Sequence, residues 1–324
     1  MRRTMSVAAI ACAAVVVLAG CGTTEAPEEE GSTSGASVTV TDARGEEVTI
    51  DGDVEDVVAI EWVAVEHVQT IGLELAGVAD VDGYVDWSGT AAPLEGDPVD
   101  VGTRTEPSID AIAEVAPDLI VAVSGSDEEL YDSLESIAPL LVLEGANGED
   151  PIGTMEDDLR LVGEATGRAE AAETAIGEFE AHLDELTATV EESGIAGTPI
   201  AHVDGFENGG QIEIRTYASG SLLAASFERI GLANAWTSEG DPQYGLGSSD
   251  VEGLTALPDD AWLVYMTVGD GDVFAGALQS NAIYTGLPTV QAGDVARLPD
   301  GIWLFGGVSS VSTYLDELVA AIQA

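Results

Sequence analysis

Cysteine is nearly missing from this 324-residue chain: only Cys12 and Cys21 occur, both near the N-terminus. Everything downstream is without disulfides, thiol catalysis or cysteine-bound metal, so its stability must come from packing. Lysine is missing altogether. All nine basic residues are arginine, against sixty acidic residues, and the formal net charge is −51. Nucleic-acid backbones are bound by clustered Lys and Arg, so nucleic acid is excluded as a partner. The acids are spread along the chain and not gathered in one tail. Such a charge makes a compact state repel itself at low salt. At molar salt the Debye length falls to about 3 Å, so the composition reads as an adaptation to high salt. Aromatic residues make up only 5 % of the chain. There is no Gly-rich phosphate loop, no Gly-x-Ser-x-Gly elbow and no nucleophile–histidine pairing, so the chain does not read as an enzyme. His67, His182 and His202 lack ligand spacing, which argues against a metal site.

The N-terminus carries the strongest local signal. Arg2 and Arg3, the apolar run 7–18 and the residues Leu18-Ala19-Gly20-Cys21 follow the order of a secretory signal. The apolar stretch 5–20 falls short of the roughly 20 residues of a membrane-spanning helix. Cys21 after Leu-Ala-Gly resembles the bacterial lipobox. That resemblance implies removal of residues 1–20, lipid on Cys21 and anchoring on the extracytoplasmic face of the cell membrane. Residues 21–37, small and polar, read as a flexible tether. Cleavage there would leave seven arginines against all sixty acids.

From Val38, VTVTDARGEEVTI alternates apolar and polar residues around Arg44-Gly45, a β-hairpin pattern. Strands and helices then alternate, which predicts an α/β lobe over 38–150. Over 151–193, apolar residues such as Leu159, Val162, Ile176, Phe179, Leu183 and Val190 recur at steps of three and four. That spacing predicts one long bridging helix, spanning about 58 Å if 154–192 is continuous. Gly163, Gly167 and Gly177 mark points where it would kink or break. The α/β pattern resumes over 194–324 with a faint internal repeat. Ser108-Ile-Asp110 leading to Pro117-Asp118 is echoed by Asp250-Val-Glu252 leading to Pro258-Asp259, and Ile71-Gly72-Leu73 by Ile230-Gly231-Leu232. Two similar lobes facing each other would form a cleft, a preferred place for a ligand.

The stretches 57–84, VGTRTEPSIDAIAEVAPDLIV (101–121), IRTYASGSLLAASFERIGLANAW (214–236), 248–265 and RLPDGIWLFGG (297–307) carry a further resemblance. In this order, and over nearly all of the body, they resemble class III solute-binding proteins of ABC importers, in the ferric-siderophore branch. The resemblance implies an α/β fold of two lobes bridged by one long α-helix, with the ligand cleft between them. It also implies a monomer without cofactor that hands cargo to an ABC permease and its ATPase, doing no chemistry on it.

Ferric siderophores are bulky and many are anionic, so a site for them should offer aromatic faces and fixed positive groups. Arg104 and Arg215 stand at comparable places in the two halves, where they would form a local positive site. Trp62, Tyr84, Trp87, Tyr217, Trp236, Tyr244 and Trp303 are the candidate aromatic contacts, Tyr84 and Trp87 in a Gly-rich loop. Trp262, inside the apolar run 261–266, is expected in the core. Asp110 and Glu252 each sit at a helix start, where negative charge is favoured; the resemblance implies that they dock on the permease, one per lobe. Haem or cobalamin cargo, and a surface sensor in place of an importer subunit, remain as alternatives.

Overall fold

In the two larger sheets successive strand residues send apolar side chains to opposite faces, so each of these sheets is covered on both sides. The computed structural model describes residues 37–267 and 271–324; Cys21, the leader and nearly all of the tether lie outside them. It opens with a hairpin of β1 (Val38–Thr41) and β2 (Glu47–Ile50), turned at Gly45 with φ +79°. The first lobe follows as β3 (Val57–Ala59), α1 (Trp62–Thr70), β4 (Leu75–Val78), α2 (Val81–Ser88), β5 (Val99–Asp100), α3 (Ile109–Val115), β6 (Leu119–Val123), α4 (Glu128–Glu135) and β7 (Leu140–Leu143). Its five strands are all parallel, in the order β5-β4-β3-β6-β7. The order reverses between β3 and β6, and ligand crevices form beyond the carboxyl ends of strands at such a reversal. Val57, Ala59, Leu119 and Val121 enter one core, while Val58, Ile120 and Ala122 enter another on the opposite face. The segment around Tyr84 and Trp87, expected as a loop, is helix α2, started by the Asp80 side chain accepting from the Gly83 N–H at 3.2 Å.

The single long helix expected over 151–193 is instead two, α5 (Pro151–Ala165) and α6 (Ala169–Ser193). The chain reverses at Gly167, where φ is +69°. The two helices pack antiparallel, with Arg160 Nε 3.1 Å from Glu173 Oε1. At Gly163 a Cβ would lie only 2.7 Å from the Ala172 Cβ, so the close approach requires glycine. The apolar periodicity runs on through the break because Leu159 and Val162 of α5 bury in the same cluster as Ile176, Phe179 and Leu183 of α6. The chain passes from one lobe to the other along α6, whose 25 residues span about 38 Å. At its start the Arg168 guanidinium donates to Gly72 O of the first lobe at 3.2 Å. Towards its end Val190 lies beside Gly231 of the second. The two repeat glycines thus meet the two ends of the bridge.

The second lobe contains β8 (Pro199–Asn208), β9 (Gln211–Tyr217), α7 (Leu222–Arg229), β10 (Ala233–Asn234), β11 (Leu246–Ser249), β12 (Trp262–Tyr265), α8 (Pro288–Ala292) and β13 (Val295–Arg297). Its strand order is β11-β9-β8-β12-β13, with β10 also on β8 and β9 antiparallel to both its neighbours. Ala201, Val203, Leu263 and Tyr265 enter this lobe's own core, and Trp262 is half-buried against the larger one. The chain ends in α9 (Val308–Gln323).

One apolar cluster runs through both lobes, from Val57 of the first sheet to Ile200 of the second by way of α1, α5, α6, α7 and α9. At the junction the buried Glu66 carboxylate of α1 accepts from Ser310 N–H at 2.7 Å and Ser310 Oγ–H at 2.9 Å, at the start of α9. Burial pushes the Glu66 carboxyl above its ordinary value, and these hydrogen bonds oppose that shift. Among the described residues, no helix is long and apolar enough to cross a membrane.

Candidate functional site

The first wall forms where β3 passes into α1. Glu61 is extended at φ −122° and ψ 150°, and Trp62 opens the helix, its Nε1–H donating to Ala79 O at 3.2 Å. Arg104 comes from the loop after β5. That loop is folded tightly: a Cβ on Gly102, at φ +94°, would lie 2.9 Å from Ser108 N. The Arg104 guanidinium lies 3.9 Å from the Trp62 ring centroid and pairs with Glu61 Oε2 at 2.9 Å. It is stacked and ion-paired at once, which holds its orientation.

The second wall rests on strand register. β8 and β9 place Asp204 opposite Arg215. Arg215 Nη1 lies 3.4 Å from Asp204 Oδ2, and the Tyr217 hydroxyl donates to the same oxygen at 2.8 Å. Burial pushes the Asp204 carboxyl up; the Tyr217 hydrogen bond and the Arg215 charge oppose that. Asp241 accepts the N–H groups of Gln243, Tyr244 and Leu246, fixing the turn that presents Tyr244. Burial raises the Tyr244 hydroxyl above its ordinary value.

The floor is the segment between β13 and α9. Its Gly301 carbonyl accepts from Thr90 N–H at 2.9 Å and Ala91 N–H at 3.0 Å, so it crosses back to the first lobe. Trp303 meets Trp62 edge-on at 4.7 Å between ring centroids, Trp87 at 6.1 Å and Phe305 at 5.2 Å. Phe305 meets Tyr244 at 5.7 Å. Two adjoining hollows of about 530 and 300 Å³ share Arg104, Arg215, Trp303 and Phe305, a size suited to a small-molecule ligand.

The cleft therefore gathers Trp62, Trp87, Arg104, Arg215, Tyr217, Tyr244 and Trp303. Tyr84 and Trp236 are elsewhere. Tyr84 faces the core of the first lobe with its hydroxyl donating to Ala92 O at 2.8 Å. Trp236 packs in the second lobe's core with Nε1–H donating to His202 O at 3.1 Å. The expected local positive site is offset, since each cleft arginine has a carboxylate partner. Glu61, Asp80, Asp204, Phe206, Met266 and Phe305 line the cleft without having been singled out from sequence. Phe305 had a signal, standing two residues after Trp303 in the quoted motif; the carboxylates had none in so acidic a chain. Asp110 and Glu252 are both exposed, one per lobe. Asp110 lies in the first turn of α3, and Glu252 precedes a short 3₁₀ turn, Gly253–Ala256, in place of the expected helix.

A larger hollow, about 750 Å³, lies between the β1–β2 hairpin and α4. It offers one aromatic side chain, Tyr131, with Arg44 5.2 Å from its ring and already paired to Asp42 and Glu135. Among the described residues no three His, Asp or Glu side chains gather as metal ligands.

One parallel-sheet lobe, one mixed-sheet lobe, one bridging helix and a cleft with an aromatic floor define a two-lobed binding protein. Residues 57–301 match the periplasmic binding protein family, and the chain belongs to it. The iron(3+)-hydroxamate-binding protein FhuD of Escherichia coli (strain K12) is 25% identical over 83% of this chain and 88% of its own length. The probable siderophore-binding lipoprotein YfiY of Bacillus subtilis (strain 168) is 23% identical over 98% of each chain. The Fe3+–Desferal-bound siderophore-binding protein FhuD from Vibrio cholerae superposes with a TM-score of 0.73 at 21% identity, covering 84% of this chain and 99% of that one, and so shares its fold.

Proposed function

We propose that this protein captures a ferric siderophore between its lobes, as the lipid-anchored substrate-binding subunit of an ABC importer. The observation that carries this reading is the cleft: an aromatic floor from the crossing segment, flanked by one arginine from each lobe, Arg104 stacked on Trp62 and Arg215 paired with Asp204. A bulky complex with an apolar periphery fits aromatic faces, and relatives in the family are named for ferric-siderophore binding. The chain acts as a monomer, tethered through Cys21 on the extracytoplasmic side. Asp110 and Glu252 meet positive charge on the permease, and the permease's ATPase drives release.

Tryptophan fluorescence tests the cargo. In molar salt, a panel of ferric siderophores, haem, cobalamin and free ferric ion is titrated against the protein. Saturable quenching by a ferric siderophore is the expected result. A response to haem or cobalamin alone would redirect the cargo, and silence to every compound would remove the importer reading. Docking is tested separately: Asp110→Arg with Glu252→Arg should abolish uptake into cells while leaving cargo affinity unchanged, and normal uptake would refute it.

A further inference from the structure

A ferric complex carries a charge set by its ligating groups. Three hydroxamates balance the iron's three positive charges; three catecholates, each doubly deprotonated, leave the complex triply negative. The cleft's own charge balance therefore bears on which class it takes. Arg104 is bound to Glu61, with its face on Trp62. Arg215 reaches Asp204, whose same oxygen also accepts from Tyr217. An anionic cargo would have to draw each guanidinium away and would then face the carboxylate left behind, unpaired and partly desolvated.

One further carboxylate lines the larger hollow. Asp80 is half-buried, sits at φ 59° and has no arginine among its hydrogen-bond partners or ion pairs; its side chain caps α2 through the Gly83 N–H. Among the described residues, two guanidinium groups thus stand against three carboxylates in the cleft. Asp is tolerated in the left-handed region, where it holds a negative charge at the rim of the aromatic floor.

We propose that the cleft selects ferric complexes of neutral or single positive charge, the trihydroxamate class, and that Asp80 is the residue that favours a positive group on the cargo. This rests on the ferric-siderophore reading. The probes are ferric desferrioxamine B, singly positive through its free ammonium; ferrichrome, neutral; and ferric enterobactin, triply negative. Titrated in molar salt by tryptophan quenching, the first two should bind at least tenfold more tightly than the third. Equal or tighter binding of ferric enterobactin overturns the charge inference while leaving the ferric-siderophore reading standing. Haem or cobalamin binding with no ferric complex bound overturns that reading instead.

Asp80→Asn separates the role of charge from that of backbone, because Asn also tolerates φ 59° and caps a helix. It should weaken ferric desferrioxamine B several-fold relative to ferrichrome. An unchanged ratio removes Asp80 from the proposal. Glu61→Gln, which keeps an acceptor but frees the Arg104 charge, should improve ferric enterobactin relative to ferrichrome about tenfold, and no change in that ratio would count against the pairing argument.

Discussion

Trp303 touches more of the cleft than any residue around it: Trp62, Trp87 and Phe305 all meet its ring, and Arg104 lies 5.2 Å from it. Each aromatic pair is worth about 0.5–1.5 kcal/mol beyond area burial. Trp303→Ala should therefore weaken cargo binding tenfold or more, about 1.4 kcal/mol, read by the remaining tryptophans. Tyr84→Phe gives the contrast. It removes a buried hydrogen bond worth about 1 kcal/mol, so melting should fall by a few degrees with affinity unchanged. A loss of affinity on Tyr84→Phe would return that residue to the site. Sequence did not separate these two aromatics, because α2 has a short, weakly apolar pattern interrupted by Gly83. Nor did it reveal Glu61, which pairs with Arg104 from 43 residues away. In a chain with sixty acids, no single carboxylate is marked by its neighbours. Asp158 is a further residue that only the fold exposes. Buried on α5, it accepts from the Glu144 and Gly145 N–H groups at 2.9 and 2.8 Å. Burial, the larger influence, pushes it from the ordinary 3.8 up to about 6, against those hydrogen bonds. The folded state thus holds a proton that the unfolded chain releases. Stability from this group is complete below pH 3.8 and is lost as pH rises through about 6, a difference of about 3 kcal/mol. Asp158→Asn should flatten the dependence of melting temperature on pH between 4 and 7; an unchanged slope would place the titration elsewhere.

Elements were easier to read than contacts. Strands β3, β4, β6 and β7 follow from runs of β-branched and aliphatic residues, and α3 from the Ser108 cap, whose Oγ accepts from Ala111 N–H at 3.3 Å. The break between α5 and α6 was not legible as a reversal, because a continuous 3.6-residue stripe is what two antiparallel helices show when both face one core. The glycines carried the information, and they differ in kind. At Gly163 an added Cβ meets Ala172 Cβ at 2.7 Å, while at Gly177, inside α6, it meets nothing within 4 Å. The same substitution should then act in opposite directions. Gly163→Ala overpacks the hairpin and costs about 1–3 kcal/mol. Gly177→Ala improves helix propensity by about 1 kcal/mol, raising the melting temperature by roughly 2–4 °C. Thermal melts of the two variants decide it, and a gain at Gly163 would mean that the helices can separate without loss.

On the scale of the whole molecule, charge and core pull against each other. A single apolar cluster spans both lobes through α1, α5, α6, α7 and α9, and Glu66 ties α1 to the start of α9. A core shared in this way makes unfolding cooperative across the lobes. Around it lies a surface in which all seven described arginines are engaged, six by carboxylates and Arg168 by the carbonyls of Ile71 and Gly72. Among the described residues no arginine is left to offset the remaining acids, so their repulsion depends on screening by solvent ions. The Debye length is about 10 Å at 0.1 M salt and about 3 Å at 1 M, which places neighbouring surface carboxylates inside the range of repulsion in the first case and outside it in the second. The protein should melt far lower in 0.1 M than in molar potassium chloride. Two controls separate screening from solvent exclusion. Sucrose, which favours compact states without ions, should recover less of the loss than salt. Acidifying towards pH 4 at low salt, which protonates exposed carboxylates, should recover part of it. Equal melting temperatures at the two salt concentrations would mean that the acidic surface is carried for some reason other than life at high ionic strength.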